Sequence, residues 1–420
     1  MVVVVQTSGP DQDPDGYSLV LDDTTNLALP VAGTTTFTDL LIGEHALELT
    51  GLSTNCSPAG ASPTSVTIAA ETDATVDIDV TCTKLLPYDL AYHHGGDLYL
   101  RPATGGPPIQ LTHDSASYAP TWSPDGRRLA FTKLTGTFDQ GRAHDLYVMD
   151  ADGAGIVQLT SGTDIDDSQP EWSPDGSLIL FTRRRLLEGG TDLYTIRPDG
   201  SDLKNLTPDA GADDHGDWSP DSRQIAFVSD RRGTEVWYGG VIEVLHVMNA
   251  DGSSVRLVGD GMEWRGTHLG PDWSPDGTRI VFWTFTGFAM RLFEERISYQ
   301  INADGTDLIE LGGSYTAPQW SPDGSRILMT QIEQNPNYDF SRLVVQEVLS
   351  GEVRRLLPDP LSQQAGGVWS PDGELIAFCS YGEPGSDQEF GMFITAPDGT
   401  GVAQVLPYCV QQLAWRPRVP

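Results

Sequence analysis

The sequence predicts an all-β protein, a seven-bladed β-propeller preceded by a small β-sandwich, with six blades as the alternative count. Three observations lead there. The pentapeptide Trp-Ser-Pro-Asp-Gly begins at Trp122, Trp172, Trp273, Trp320 and Trp369, with a near copy from Trp218 to Ser222 and a worn one at Trp415. These tryptophans stand 50, 46, 55, 47, 49 and 46 residues apart, a period that marks propeller blades when its content is strand-like. Between them, short apolar runs are broken by Asp-Gly turns, the pattern of antiparallel hairpins.

Residues 1–85 lack this repeat. Tyr17–Leu21, Ala46–Leu49, Val66–Ile68 and Val76–Val80 alternate with period two between clusters of Gly, Pro, Asn and Thr, which predicts a sandwich of short strands. Four cysteines fall into two local pairs, Cys56 with Cys82 and Cys379 with Cys409. An even count without zinc spacing predicts two disulfides in an exported protein. Asp11-Gln12-Asp13-Pro14-Asp15-Gly16 has the form of a calcium loop, with Asp22 at the twelfth position. Calcium is the one candidate cofactor there, against the plainer reading of a solvated acidic turn.

After a linker at Lys84–Pro87, the propeller takes residues 86–420. In the repeat from Trp172, Leu178–Thr182 and Asp192–Ile196 read as strands, Pro198-Asp199-Gly200 as a tight turn and Leu203–Thr207 as the return. Each unit then has four strands, A to D, with the pentapeptide on the A–B turn. Pro and Gly set the turn dihedrals, and the Asp carboxylate accepts backbone N–H groups. The Trp ring is expected between neighbouring blades. Packing and turn needs recur in every blade, so the pentapeptide is read as scaffold. Sets of B, C and D strands begin near Tyr88, Arg128, Leu178, Gln224, Arg279, Arg326 and Leu375, and an A-type strand at Val410–Trp415 has nothing after it. That strand is expected to complete the first blade and close the ring.

The order Pro-x-Trp-Ser-Pro-Asp-Gly, strand, Asp-Leu-Tyr, Asp-Gly, Leu-Thr, clearest in Pro120–Thr160 and Pro170–Thr207, resembles the TolB-type, WD-repeat-like propellers of bacterial cell envelopes. The resemblance covers residues 86–420. It implies the propeller fold and a periplasmic or extracellular place; the same blades also serve translocation-system proteins, peptidase side domains and polysaccharide lyases. This chain departs from TolB in having seven expected blades instead of six, and an all-β instead of an α/β N-terminal domain. Leu41–Leu49 resembles the Leu-x-x-Gly-x-His motif of PEGA-like and related Ig-like surface modules, which implies a spacer or adhesive unit displayed outside the cytoplasm.

The formal net charge is −34, a field that repels nucleic acid and anionic membrane surfaces. No run approaches the ~18 apolar residues of a membrane span. No basic segment precedes Val2–Val5, so no leader is expected within this chain.

Strand order places the A–B and C–D turns on one face and the D–A and B–C loops on the other. The first face repeats and reads as scaffold. The second varies, and varied loops on a rigid frame carry function. Its candidate ligand-binding residues are the aromatic Trp237, Tyr238, Trp264, Phe285, Phe288, Tyr338 and Phe340, with the acidic Asp166, Asp167, Asp213 and Asp214. Aromatic rings stack on sugars or anchor protein interfaces; packing under their own loops is the bland alternative. His94, His113 and His144 fall in one neighbourhood of that face and are weighed as a metal site. No Gly-x-Ser-x-Gly, phosphate loop or His-Glu-x-x-His occurs. The expected function is an exported, non-enzymatic protein that binds a protein partner or glycan through the loop face. A metal-assisted polysaccharide lyase or glycan hydrolase, similar to the seven-bladed oligogalacturonate lyases, and a self-assembling surface or filament subunit are the alternatives.

Overall fold

The computed structural model describes every residue except 10–11, 13–15, 23, 54–55, 60–63, 70–73, 83–84, 136–142, 188, 209–210, 232–242, 260–266, 287–294, 335–338, 358–362, 382–389 and 418–420. The chain packs as two compact units: Met1–Asp89 with Arg101–Ile109 and Ala403–Val405, and the remainder. Among the described residues, no helix is long and apolar enough to cross a membrane.

Two four-stranded sheets make up the first unit. One orders Gly33–Thr36, Val2–Ser8, Thr75–Cys82 and Cys56–Pro58; the other Thr25–Leu29, Tyr17–Leu21, Gly43–Thr50 and Thr64–Ile68. Period-two alternation turns Val3, Val5, Leu19, Leu47 and Val80 into one shared core. Cys56 and Cys82 lie directly opposite one another on paired strands and are joined by a disulfide across 26 residues. Replacing both with alanine is expected to destabilise this unit by about 2–4 kcal/mol. Hydrogen exchange of the Thr75–Cys82 amides checks this: their protection should fall while propeller strands keep theirs.

Seven four-stranded sheets follow among the described residues. One runs Ser117–Trp122, Arg128–Leu134, His144–Asp150 and Val157–Gln158 in chain order, and five others repeat that order. The remaining sheet joins Leu90–His94, Asp97–Arg101 and Ile109–Gln110 to the C-terminal strand Gln411–Trp415, with Trp415 opposite Leu90. The last strand of the chain thus serves as the A strand of the first sheet.

The repeated residues have repeated contacts. In the A–B turn the Ser123 hydroxyl donates to Asp125 at 2.6 Å, Arg127 N–H donates to the same carboxylate at 3.1 Å, and Arg128 N–H donates to Ser123 Oγ at 2.9 Å. Equivalent bonds occur at Ser173, Ser219, Ser274, Ser321 and Ser370. Gly126 has φ 64°, the left-handed conformation that glycine takes freely. The Leu-Thr pair ends each early blade with a hydroxyl for the C strand: Thr112, Thr160 and Thr207 Oγ1 accept the N–H of Leu98, Leu146 and Leu193 at 2.8–3.0 Å. Across the B and C strands aromatic rings stack, as in Phe131 on Tyr147, Phe181 on Tyr194 and Phe282 on Tyr299 at 5.6–5.7 Å. Six of the repeated Trp, from Trp122 to Trp369, sit in core clusters drawn from two sheets; Trp273 packs with Ala226, Leu245 and Val247 of one and Ile280, Phe282 and Ile301 of its own.

Candidate functional site

Every A strand carries the same irregularity three residues before its Trp. Ala119, Gln169, His215, Gly270, Ala317, Gly366 and Gln412 all have positive φ, between 48° and 66°. The strand pairing shifts register at each of them. Such bulges bend the strand and re-aim side chains. Five of the seven are not glycine, and each of those bears a steric cost of about 1–2 kcal/mol. Strained backbone of this kind gathers at functional sites. Neighbouring bulges are also tied together: Gln412 Oε1 accepts Ala119 N–H at 2.7 Å, and the Thr182 hydroxyl donates to Gln169 at 3.2 Å and to Asp214 at 3.0 Å.

The residue before the Trp decides how adjacent sheets are joined. In three junctions it is acidic, and its carboxylate accepts the backbone N–H of the next Trp. Glu171 accepts from Trp218 at 3.3 Å, Asp217 from Trp273 at 2.7 Å and Asp272 from Trp320 at 2.7 Å. Elsewhere the junction uses the indole: Trp122 Nε1 donates to the Ala414 carbonyl at 3.1 Å and Trp172 Nε1 to Thr121 at 3.3 Å. Removal from water raises Glu171 to about 7, although a hydrogen bond from Asp217 favours its charge. The same desolvation, with the Glu171 charge beside it, pushes Asp217 well above the carboxylate range. Asp272 is raised by desolvation first and by the Asp217 charge second.

The raised Glu171 pKa makes stability depend on pH. Glu171 ordinarily titrates near 4.5, so between there and about 7 the folded chain holds a proton that the unfolded chain releases. Stability from this group is full at low pH and falls as pH rises through 7. Glu171→Gln should therefore flatten the decline, raising stability at pH 8 relative to pH 5 by about 1–3 kcal/mol. Urea unfolding of both proteins at the two pH values measures it.

Three of the bulges, at His215, Gly270 and Ala317, line a cavity of about 350 Å³ among the A strands, together with Leu269, Pro271, Asp272, Pro318 and the B-strand residue Trp283. The turn face has a more polar crevice of about 320 Å³ between turns, including Asp323, Arg326, Glu347 and Arg354.

The acidic residues expected to face a ligand are largely committed elsewhere. Asp167 is fully buried and takes a two-pronged pair from Arg183 at 2.7 and 2.8 Å. Asp213, also fully buried, pairs with Arg231 at 2.8 Å. Both belong to A strands instead of open loops, so their expected ligand role is corrected to a structural one. Asp166 bonds His144 Nδ1 at 2.7 Å and Arg184 at 2.9 Å, and Asp214 lies 3.7 Å from His215.

The histidine metal site is not assembled. His94 stacks on Tyr408 at 4.3 Å, His144 is held by Asp166, and His113 is exposed. No group of three metal-ligating side chains occurs among the described residues. Asp22 is likewise engaged away from calcium. Its carboxylate accepts His45 Nδ1 at 2.6 Å and Ala46 N–H at 2.9 Å, while His45 Nε2 donates to the Leu41 carbonyl at 2.8 Å. The Leu41 carbonyl, then Asp22, raises the His45 pKa, and the His45 bond lowers that of Asp22.

Cys379 and Cys409 are free thiols, contrary to the expected second disulfide. Each sulfur has found backbone partners: Cys379 Sγ accepts Val410 N–H at 3.1 Å, and Cys409 Sγ donates to the Ser380 and Gly391 carbonyls at 3.3 Å. Asp11, Asp13, Asp15, Trp237, Tyr238, Trp264, Phe288 and Tyr338 lie outside the described residues, as do the side chains of Phe285 and Phe340. The junction carboxylates Glu171 and Asp272 and the ring of Trp283 are not singled out from sequence. Their signal was present in the position before the Trp, which is acidic in three of the repeats.

No family model matches this chain. Over 189 residues it is 33% identical to an uncharacterised protein of Agrobacterium fabrum, covering 44% of this chain and 60% of that one. Over 138 residues it is 35% identical to a TolB homologue of Chlorobium luteolum, covering 33% of this chain and 29% of the homologue. The chain thus matches less than two thirds of either relative's length. An oligogalacturonate lyase of Vibrio parahaemolyticus is similar in structure, with a TM-score of 0.54 at 16% identity, over 68% of this chain and 80% of the enzyme. That likeness is one of fold. The repeat region is a β-propeller, and 138 residues of the chain are similar to the TolB homologue.

Proposed function

We propose that this is an exported binding or scaffold protein without enzymatic activity. Its propeller, residues 86–420, takes a protein partner or glycan on the D–A/B–C face, and the sandwich of residues 1–85 acts as a spacer. The observation that supports this most is the largely apolar cavity lined by Leu269, Pro271, Pro318 and Trp283, set against a turn face whose polar groups bond one another. The disulfide and the TolB-type repeat support a periplasmic or extracellular setting.

The test is binding of the intact chain to arrayed bacterial envelope proteins and polysaccharides. A loop-face variant, Trp237→Ala with Tyr238→Ala, should lose at least about tenfold in affinity. A turn-face variant, Arg127→Ala with Arg223→Ala, should bind as the parent does. The lyase reading has one observation in its favour, the fold shared with oligogalacturonate lyase. Release of unsaturated uronate from oligogalacturonate, with and without added manganese, would replace the binding reading by that one.

A further inference from the structure

The cavity beside the bulges is mixed in a specific way. Leu269, Pro271, Pro318 and Trp283 give it apolar walls, and Asp272, which also accepts the Trp320 N–H at 2.7 Å, is among its lining residues. Gly270, at the bulge, leaves the indole open: a Cβ built there would stand 3.6 Å from Trp283 Nε1. Behind Asp272 come Asp217 and Glu171, stepping from junction to junction. No Lys or Arg is among the described residues that line the cavity. Among the described lining residues His215 is the one basic group, itself 3.7 Å from Asp214.

We propose that this pocket receives the side chain of a basic residue, an apolar stem along the proline and indole walls with its cation against Asp272. The proposal rests on the propeller being the binding unit and specifies a side chain that it reads. A lysine stem and ammonium match such a lining, because long basic side chains bury their methylenes and keep the charge at a polar end. A cation beside an indole gains further from the ring quadrupole. The net charge of −34 attracts such a partner from a distance.

Binding of this kind is coupled to protons. Desolvation, and after it the Asp217 charge, raises the Asp272 pKa well above the usual carboxylate range. A cation favours the ionised form, so it expels a proton as it binds, and affinity falls as pH is lowered. The charged group that acts on Asp272 is Asp217, and His215 also lines the cavity.

The experiment titrates the intact protein with N-acetyl-lysine N-methylamide and with its norleucine isostere, by calorimetry in two buffers of different ionisation enthalpy. The lysine compound should bind at least about tenfold more tightly than norleucine, with proton release. Asp272→Asn, which can still accept the Trp320 N–H, should bring the two compounds within about twofold of each other. Trp283→Leu, which keeps the carboxylate, should weaken the lysine compound severalfold. Equal binding of the two compounds, no binding of either, or lysine binding unchanged in Asp272→Asn overturns the proposal. A loop-face partner that binds Asp272→Asn normally would also overturn it, while leaving the proposed function standing.

Discussion

Trp273→Ala is expected to destabilise the propeller by about 3–5 kcal/mol, the range for a large aromatic removed from a packed interior. Trp273 is 5% exposed and sits in one cluster with residues of two sheets. Its loss opens a void between sheets whose strands are held by backbone ladders and cannot close around it. The backbone N–H bond to Asp217 would survive in the variant, so the measured loss would report the ring itself. Hydrogen exchange across Arg279–Thr286 localises the effect. Protection that falls by less than about 1 kcal/mol would mean that the repeated Trp is not the element joining the sheets.

Asp167→Ala should cost about 3–5 kcal/mol, because it leaves the Arg183 guanidinium nearly buried without its carboxylate. Arg183 is 9% exposed and Asp167 is wholly enclosed. The phenyl and phenol rings of Phe181 and Tyr194 flank the guanidinium at 5.4 and 4.7 Å and offer no anion in exchange. Removing both partners, as Asp167→Ala with Arg183→Met, should restore most of the loss, since two buried charges are then absent instead of one. Urea unfolding of the single and double variants distinguishes a structural pair from a ligand-facing carboxylate. If Asp167→Ala were neutral in stability and weakened partner binding, the sequence expectation for this residue would stand after all.

These two residues show what the sequence made legible. Trp273 was readable because its environment repeats: the same ring, turn serine and turn aspartate recur with each blade, and periodicity exposes any requirement that every blade shares. Asp167 was misread because its partner, Arg183, comes from the next strand, and Ile165–Trp172 begins earlier than the loop reading placed it. The same limit applies to Asp213 and Arg231. Charge on a presumed loop shows nothing about a cation that register alone brings opposite.

The cavity escaped notice for a related reason. Ala119, Gln169, His215 and Gly270 have no side-chain chemistry in common, so the shared bulge leaves no motif. It is fixed by backbone pairing, two residues opposite one, at a constant distance before each Trp. Glu171, Asp217 and Asp272 occupy one repeat position but looked like three more acids in a strongly acidic chain. The cysteines divided along the same line. Cys56 and Cys82 are direct cross-strand neighbours, whereas Cys379 and Cys409 meet where a B strand passes the segment leading into the closing strand, and each sulfur there is bonded to backbone.

The central claim is that the D–A/B–C face binds and the turn face supports. The most direct measurement is the affinity of one arrayed envelope component for the parent chain, for Trp237→Ala with Tyr238→Ala, and for Arg127→Ala with Arg223→Ala. A loss of at least about tenfold confined to the loop-face variant is the predicted result. Equal binding by all three proteins, or a loss confined to the turn-face variant, would contradict it.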